Sequence, residues 1–133
     1  MKFRLQLVVK GADGQTTASD ELACLERTGL GPATAGLTLD EAKTLLVTCQ
    51  SRMILAQARD YEHMARPCPE CREPRTIKGA STIVLRTLFG ALTIPRRRLY
   101  HCRCEGSGRS SFSPIAVLFP ERSTPELVYL QTR

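Results

Sequence analysis

Hydrophobic and polar residues alternate at the start of the chain. Phe3, Leu5, Leu7 and Val9 fall on one side, and Lys2, Arg4, Gln6, Val8 and Lys10 on the other. A period of two predicts a strand over residues 2–10 with one apolar face. Gly11-Ala12-Asp13-Gly14 supplies turn chemistry, and residues 15–25 predict a less regular return strand. Residues 28–37 hold three glycines and a proline and read as a loop. The period then changes. Leu39, Ala42, Leu45, Leu46, Cys49, Met53 and Ala56 recur at steps of three and four, which predicts an amphipathic helix to about Arg66. Thr38 and Glu41 form a capping box at its start, Asp40 and Glu41 suit the helix dipole, and Pro67 stops the helix. Arg52, Arg59, Asp60 and Glu62 decorate the outer side of this helix.

Beyond Pro67 the pattern is that of a small β module. Residues 68–74, CPECREP, predict a tight knuckle. Residues 81–88 and 91–100 predict two strands about a turn at Phe89-Gly90, with Pro95 confining the second to an edge or a bulge. Residues 105–114 read as a flexible polar loop. Thr124, Pro125 and Glu126 have the signature of a helix start: an N-cap, a first-turn proline and a dipole-matched acid. The fold class expected is α+β: an N-terminal β-hairpin, one long amphipathic helix and a C-terminal zinc-ribbon β-hairpin. The organisation expected is a hairpin-plus-helix unit over 1–66, a ribbon over 67–112 and a tail over 113–133 that begins a helix. So short a helix start also suggests the front part of something longer.

Composition sharpens this picture. The chain has 133 residues, no Trp and few aromatics, so a large aromatic core is excluded and a metal or disulfide staple is expected. The first residues lack the apolar core of a secretory signal, and no apolar run is long enough to span a membrane. The expected location is the cytoplasm, associated with the nucleoid if DNA is bound. There thiols stay reduced and paired cysteines point to metal.

Cys68-x2-Cys71 and Cys102-x-Cys104 bracket the predicted second hairpin, with thirty residues between Cys71 and Cys102. A knuckle and a hairpin would bring four thiolates together. Zinc takes such a tetrahedral set, and four protein ligands leave no open position, so a Zn2+ bound there is structural. CxC gives a tighter bite than CxxC, and His101 competes as a ligand for one of the second pair. A redox dithiol at Cys68 and Cys71 is disfavoured because no βαβ pattern surrounds it. Cys24 and Cys49 lie on apolar faces and read as small core residues, and His63 as a partner of the helix dipole.

Residues 66–110 carry ten basic and three acidic groups, a local net charge of +7, against −1 for the rest of the chain. A basic cluster on one module is the footprint of a polyanion binder. Arg96, Arg97 and Arg98 lie on a predicted strand, Arg96 and Arg98 on one face and Arg97 on the other. Arg75, Lys78, Arg86 and Arg103 extend the patch as DNA-binding candidates, with Tyr100 and His101 as stacking or base-edge contacts. Guanidinium groups pair bidentately with phosphate, giving affinity and salt dependence without reading sequence. The plainer alternative is a solvated arginine face. No metalloprotease His-Glu pair, P-loop, nucleophile elbow or two-metal acid set is present, so an enzyme, and with it a small-molecule substrate, is not expected.

Several of these residues resemble one family. They are the opening MKFRLQLVV, Ala35-Gly36-Leu37-Thr38-Leu39-Asp40-Glu41-Ala42-Lys43, the CPEC knuckle, Lys78-Gly79, Arg86-Thr87-Leu88-Phe89-Gly90, Tyr100-His101-Cys102-Arg103-Cys104 and Pro120-Glu121-Arg122-Ser123-Thr124-Pro125-Glu126-Leu127. Together they look like the N-terminal region of ISKra-type insertion-sequence transposases. The resemblance covers nearly the whole chain, and its cysteine motifs are the most specific part. In that family the chain continues into an RNase H-like nuclease domain with an acidic triad, before which this chain is expected to be truncated. One departure is Arg72, where such knuckles often place Gly. The resemblance implies a DNA-binding module for transposition, recognising transposon ends, with no strand-transfer activity of its own. The alternative is a protein-interaction or oligomerisation module, using the N-terminal hairpin and helix, that binds a nuclease or full-length transposase as a partner, or a second copy of itself.

Overall fold

A computed structural model of the chain describes residues 1–106 and 110–133. The architecture is α+β and divides into two compact units, Met1–Met53 and Ile54–Arg133.

In the first unit, β1 (Lys2–Lys10) and β2 (Thr16–Glu26) pair antiparallel. Asp13 closes the turn by accepting from the Gln15 N–H at 3.0 Å, and Gly14 supplies the positive φ of 78°. The register breaks between Leu5 and Gln6, leaving Leu22 as an extra residue on β2. That bulge is why the return strand reads as less regular. Ion pairs Lys2–Glu26 at 3.1 Å and Arg4–Glu21 at 2.7 Å cross the strands on the polar side. The following loop is tied down by Arg27, which donates to the Gly36 carbonyl and to Glu41.

Helix α1 (Leu39–Ala65) begins at the expected capping box. The Glu41 N–H donates to Thr38 Oγ1 at 3.2 Å, and Glu41 Oε2 accepts from the Thr38 N–H at 2.9 Å. The Thr38 N–H, followed by Arg27, holds the Glu41 carboxyl below its usual range. The predicted buried stripe is not buried. No residue of α1 is fully covered, and Leu39, Leu46 and Met53 are exposed. The residues of α1 that reach a core are Ile54 and Ala58, which pack in the second unit. This is why the compact units part at Met53 and not after residue 66. Cys24 is exposed and Cys49 half-buried, so neither is a core residue.

The second unit is built on β3 (Ile77–Thr87) and β4 (Gly90–Tyr100), an antiparallel pair. β3 starts four residues earlier than its β-branched run suggests. The turn is Leu88-Phe89, not Phe89-Gly90. The buried Thr87 hydroxyl sets it, donating to the Gly90 carbonyl at 2.8 Å and accepting from the Phe89 N–H at 3.1 Å. Pro95 sits opposite Thr82, on a stretch of β4 that among the described residues has no strand on its other side. Part of the polar loop expected over 105–114 lies outside the described residues, at 107–109. Its later part is ordered: β5 (Ser111–Phe112) pairs with Leu99 and Tyr100, and α2 (Pro114–Leu118) follows, capped by Ser113 Oγ.

The core is small. Ile83, Leu85, Ile94 and Ile115 form it, with Ile54, Ala58, Leu92 and Phe119 packed against it. Ile115 places the expected tail inside this unit, and Ser123 runs parallel beside β3, where the Arg86 N–H donates to the Arg122 carbonyl and the Thr124 N–H to the Arg86 carbonyl, both at 2.9 Å. α3 (Pro125–Gln131) starts at the expected Thr124, but the Thr124 hydroxyl is buried and makes no cap bond. Leu85 is fully buried at the centre of the core. Leu85→Ala should therefore cost about 2–5 kcal/mol of stability, measured by denaturant unfolding, whereas trimming the half-exposed Val84 beside it should cost far less.

Candidate metal centre

Pro67 ends the helical path, and an isolated bridge between Pro67 and Pro74 pins the two ends of the knuckle. Within it the Cys68 N–H donates to the Glu73 carbonyl and the Arg72 N–H to the Cys68 carbonyl, both at 2.9 Å. Arg72 has φ of 67°, so the left-handed turn that glycine would supply is made here by an arginine. The turn points the N–H groups of Cys71 and Glu70 at the Cys68 sulfur.

The second pair sits where β4 runs out. Cys102 precedes a single 3-10 turn, Arg103–Glu105, and this turn lets a CxC pair present both thiols to one side. Glu105 holds the turn in place, its Oε2 accepting from the Cys102 N–H at 2.6 Å. Cys102-x-x-Glu105 thus repeats the capping spacing of Thr38-x-x-Glu41, with a cysteine in the cap position.

The two turns bring four sulfurs to one point. Cys68 Sγ lies 3.3 Å from Cys104 Sγ, Cys71 Sγ lies 3.5 Å from Cys102 Sγ, and all four fall within 4.8 Å of one another. These separations exceed a disulfide bond of about 2.05 Å. They bracket the edge of about 3.8 Å of a tetrahedron whose corners lie about 2.3 Å from a metal ion. Cys68, Cys71, Cys102 and Cys104 are therefore a group that could hold a metal ion. Cys68 is fully buried and Cys71 and Cys104 are exposed, so the group sits at the rim of the ribbon.

The electrostatics of the bare thiols fit a cation. The Cys71 N–H, with the Glu70 N–H, pulls Cys68 down to about 7. The Cys68 sulfur, followed by that of Cys102, pushes Cys104 up. Four thiols this close cannot all ionise unaided, and a divalent ion removes that conflict. His101 is not in the group. Its ring packs on Phe112 at 4.6 Å between centroids, and Nδ1 lies 3.5 Å from Glu105.

Arg75 is placed differently from a free phosphate contact. Its side chain is 10% exposed, and its guanidinium pairs with Glu105, donates to the Ala65 carbonyl at 2.8 Å and stacks over Phe112 at 5.1 Å. This clamp, chiefly the Arg75 hydrogen bond and then the Cys102 N–H, holds Glu105 below the usual carboxylate range. Sequence reading did not find Glu105. The signal available was its capping spacing from Cys102.

The other basic candidates lie on or beside the ribbon. Arg96, Arg97 and Arg98 stand opposite Ser81, Ala80 and Gly79. Arg96 Nε donates to Ser81 Oγ at 2.8 Å, and Arg98 Nη2 to Ser111 Oγ at 3.1 Å. Lys78 is the extra residue at the break in register between Ile77 and Gly79. Its Nζ reaches the same Ser111 Oγ at 3.4 Å and lies 5.7 Å over the Tyr100 ring. The Arg97 N–H donates to Glu62 Oε1 at 2.6 Å, so Glu62 serves the sheet and is not a solvent-side decoration. Arg86 and Arg103 are exposed on β3 and on the 3-10 turn. Among the described residues none of Lys78, Arg86, Arg96, Arg97, Arg98 and Arg103 forms an ion pair. The two units divide the charge unevenly: residues 1–53 hold six basic and six acidic groups, and residues 54–133 hold thirteen and seven. Among the described residues no helix is long and apolar enough to cross a membrane.

Partners that orient metal ligands typically contribute 10–100-fold to metal affinity. Glu105→Ala should therefore weaken metal retention by about that factor, read by competition with a chromophoric chelator, while Glu73→Ala, which removes no ligand-orienting bond, should leave it within error. The chain matches no protein-family model, no curated protein and no solved structure.

Proposed function

We propose that the four cysteines hold one structural zinc ion and that the ribbon around it binds the phosphate backbone of DNA. Soft thiolates in a tetrahedral set select zinc over harder divalent ions, and four thiolate ligands fill that set and make the role structural. The observation that carries the DNA reading is the placement of charge. The whole net charge of +6 belongs to residues 54–133, the unit with the cysteine group, while residues 1–53 are neutral. The cations on β4, β3 and the 3-10 turn have no acidic partners among the described residues to neutralise them. Such a surface suits a polyanion, and guanidinium groups suit phosphate.

In this reading Arg96, Arg97, Arg98, Arg86, Lys78 and Arg103 contact phosphates, and Arg75 supports the ribbon. The resemblance of Tyr100-His101-Cys102-Arg103-Cys104 and its companion motifs supports reading the module as part of a transposase-like protein of the cytoplasm that acts at transposon ends. In this reading these residues carry no strand-transfer activity of their own.

The test is the salt dependence of binding to duplex DNA, by fluorescence anisotropy. Each phosphate contact contributes about −0.9 to the slope of log K against log salt, so six contacts give a slope near about −5. Affinity should fall by about 10³-fold between roughly 50 and 200 mM salt. Arg97→Ala should make the slope shallower by about 0.9 with secondary structure unchanged. A flat salt response in the wild-type chain would exclude the reading.

A further inference from the structure

The first unit has an interior that its own residues do not fill. None of residues 1–53 is fully buried. Phe3, Leu5, Leu25, Leu30 and Leu37 line an open cavity of about 520 Å³. The apolar stripe of α1 is likewise only partly covered: Leu39, Leu46 and Met53 are 70%, 49% and 44% exposed, and Ala42 and Cys49 between them are half-buried.

That stripe has a particular spacing. Leu39, Leu46 and Met53 recur every seven residues, and Ala42 and Cys49 follow the first two of them by three. This is the a/d pattern of a seam that packs against another helix. The small residues at d allow the two backbones to approach closely. Lys43, Gln50 and Arg52 flank the seam, and charged residues stay out of its centre.

Area gives the scale of what is missing. A folded monomer of 14.7 kDa is expected to expose about 6,900 Å². Treated as two independent units of these lengths, the chain is expected to expose about 8,300 Å². The chain exposes 9787 Å². Even the smaller excess, about 1,500 Å² summed over the whole chain, leaves room for the roughly 800 Å² that each partner contributes to a standard stable interface. Charge also bears on the occupant. Residues 1–53 are neutral, so two copies of this surface meet without net repulsion, whereas residues 54–133 carry the net +6 and would repel one another.

From these observations we infer that the seam Leu39, Ala42, Leu46, Cys49 and Met53 packs against the same seam of a second copy of this chain. The inference is independent of DNA and of zinc, since every residue it uses lies in the first unit.

The test is the mass of the full metal-loaded chain by light scattering after size exclusion, over about 1–100 μM and in roughly 0.5 M salt. The expected result is twice 14.7 kDa, unchanged by salt. Leu46→Lys should weaken the dimer about 100-fold or more, because it places an unpaired charge in the seam. Val47→Lys, at a neighbouring position that is also exposed but lies off the seam, should leave the dimer intact. Helix content by circular dichroism keeps folding separate from association, and Met53→Lys serves if Leu46→Lys does not fold. A wild-type chain that stays monomeric overturns the inference, and a different protein would then have to cover the stripe. A dimer that survives both seam substitutions, or that Val47→Lys disrupts equally, or that salt disperses, overturns it as well.

Discussion

The convergence of four thiols from two distant turns is the constraint on which the second unit depends. Cys68 and Cys71 come from the knuckle after α1, and Cys102 and Cys104 from the turn after β4, yet all four sulfurs lie within 4.8 Å. Between them runs a two-stranded ribbon with Ile83, Leu85, Ile94 and Ile115 as its buried cluster. A cluster of that size contributes little against the entropy of ordering some eighty residues. A metal bound by four thiolates would contribute apparent free energy of about 10 kcal/mol or more to folding. The surrounding details serve that point. Glu105 fixes the Cys102 N–H, Arg75 neutralises Glu105 and ties it to the end of α1, and Phe112 on β5 lies under both Arg75 and His101.

What was legible in the sequence is what local chemistry decides. Strict alternation placed β1, and the capping box at Thr38 and Glu41 placed the first turn of α1. Cysteine spacing named the four residues whose sulfurs gather, because the hairpin between the two pairs returns the second pair beside the first. What was not legible depends on partners far away. The stripe from Leu39 to Ala56 predicts a buried face, but periodicity cannot say which molecule covers it, and the core contacts of α1 come from Ile54 and Ala58. β5 has two residues and therefore no period to read. The Arg75–Glu105 pair spans thirty positions, so Arg75 looked like one more free cation until the fold enclosed it. The hydroxyl of Thr124 shows the opposite case. The sequence signature of a cap is present, and the packing against β3 leaves it unused.

The two units differ in the kind of surface each presents. The first is neutral and leaves apolar area uncovered; the second is basic and gathers soft ligands. In the proposed reading the apolar area meets a protein surface, and the arginines that lack an acidic partner among the described residues meet a polyanion. Helix α1 belongs to both, with no residue of its first half fully buried and its second half supplying Ile54, Ala58 and Glu62 to the ribbon.

The most direct measurement of the central claim is the metal content of protein purified without added metal, together with its unfolding before and after removal of that metal by a strong chelator. The account predicts one equivalent of zinc per chain, and loss of the cooperative unfolding transition of the ribbon once the zinc is gone. A metal-free chain that unfolds cooperatively and is indifferent to chelation would contradict it.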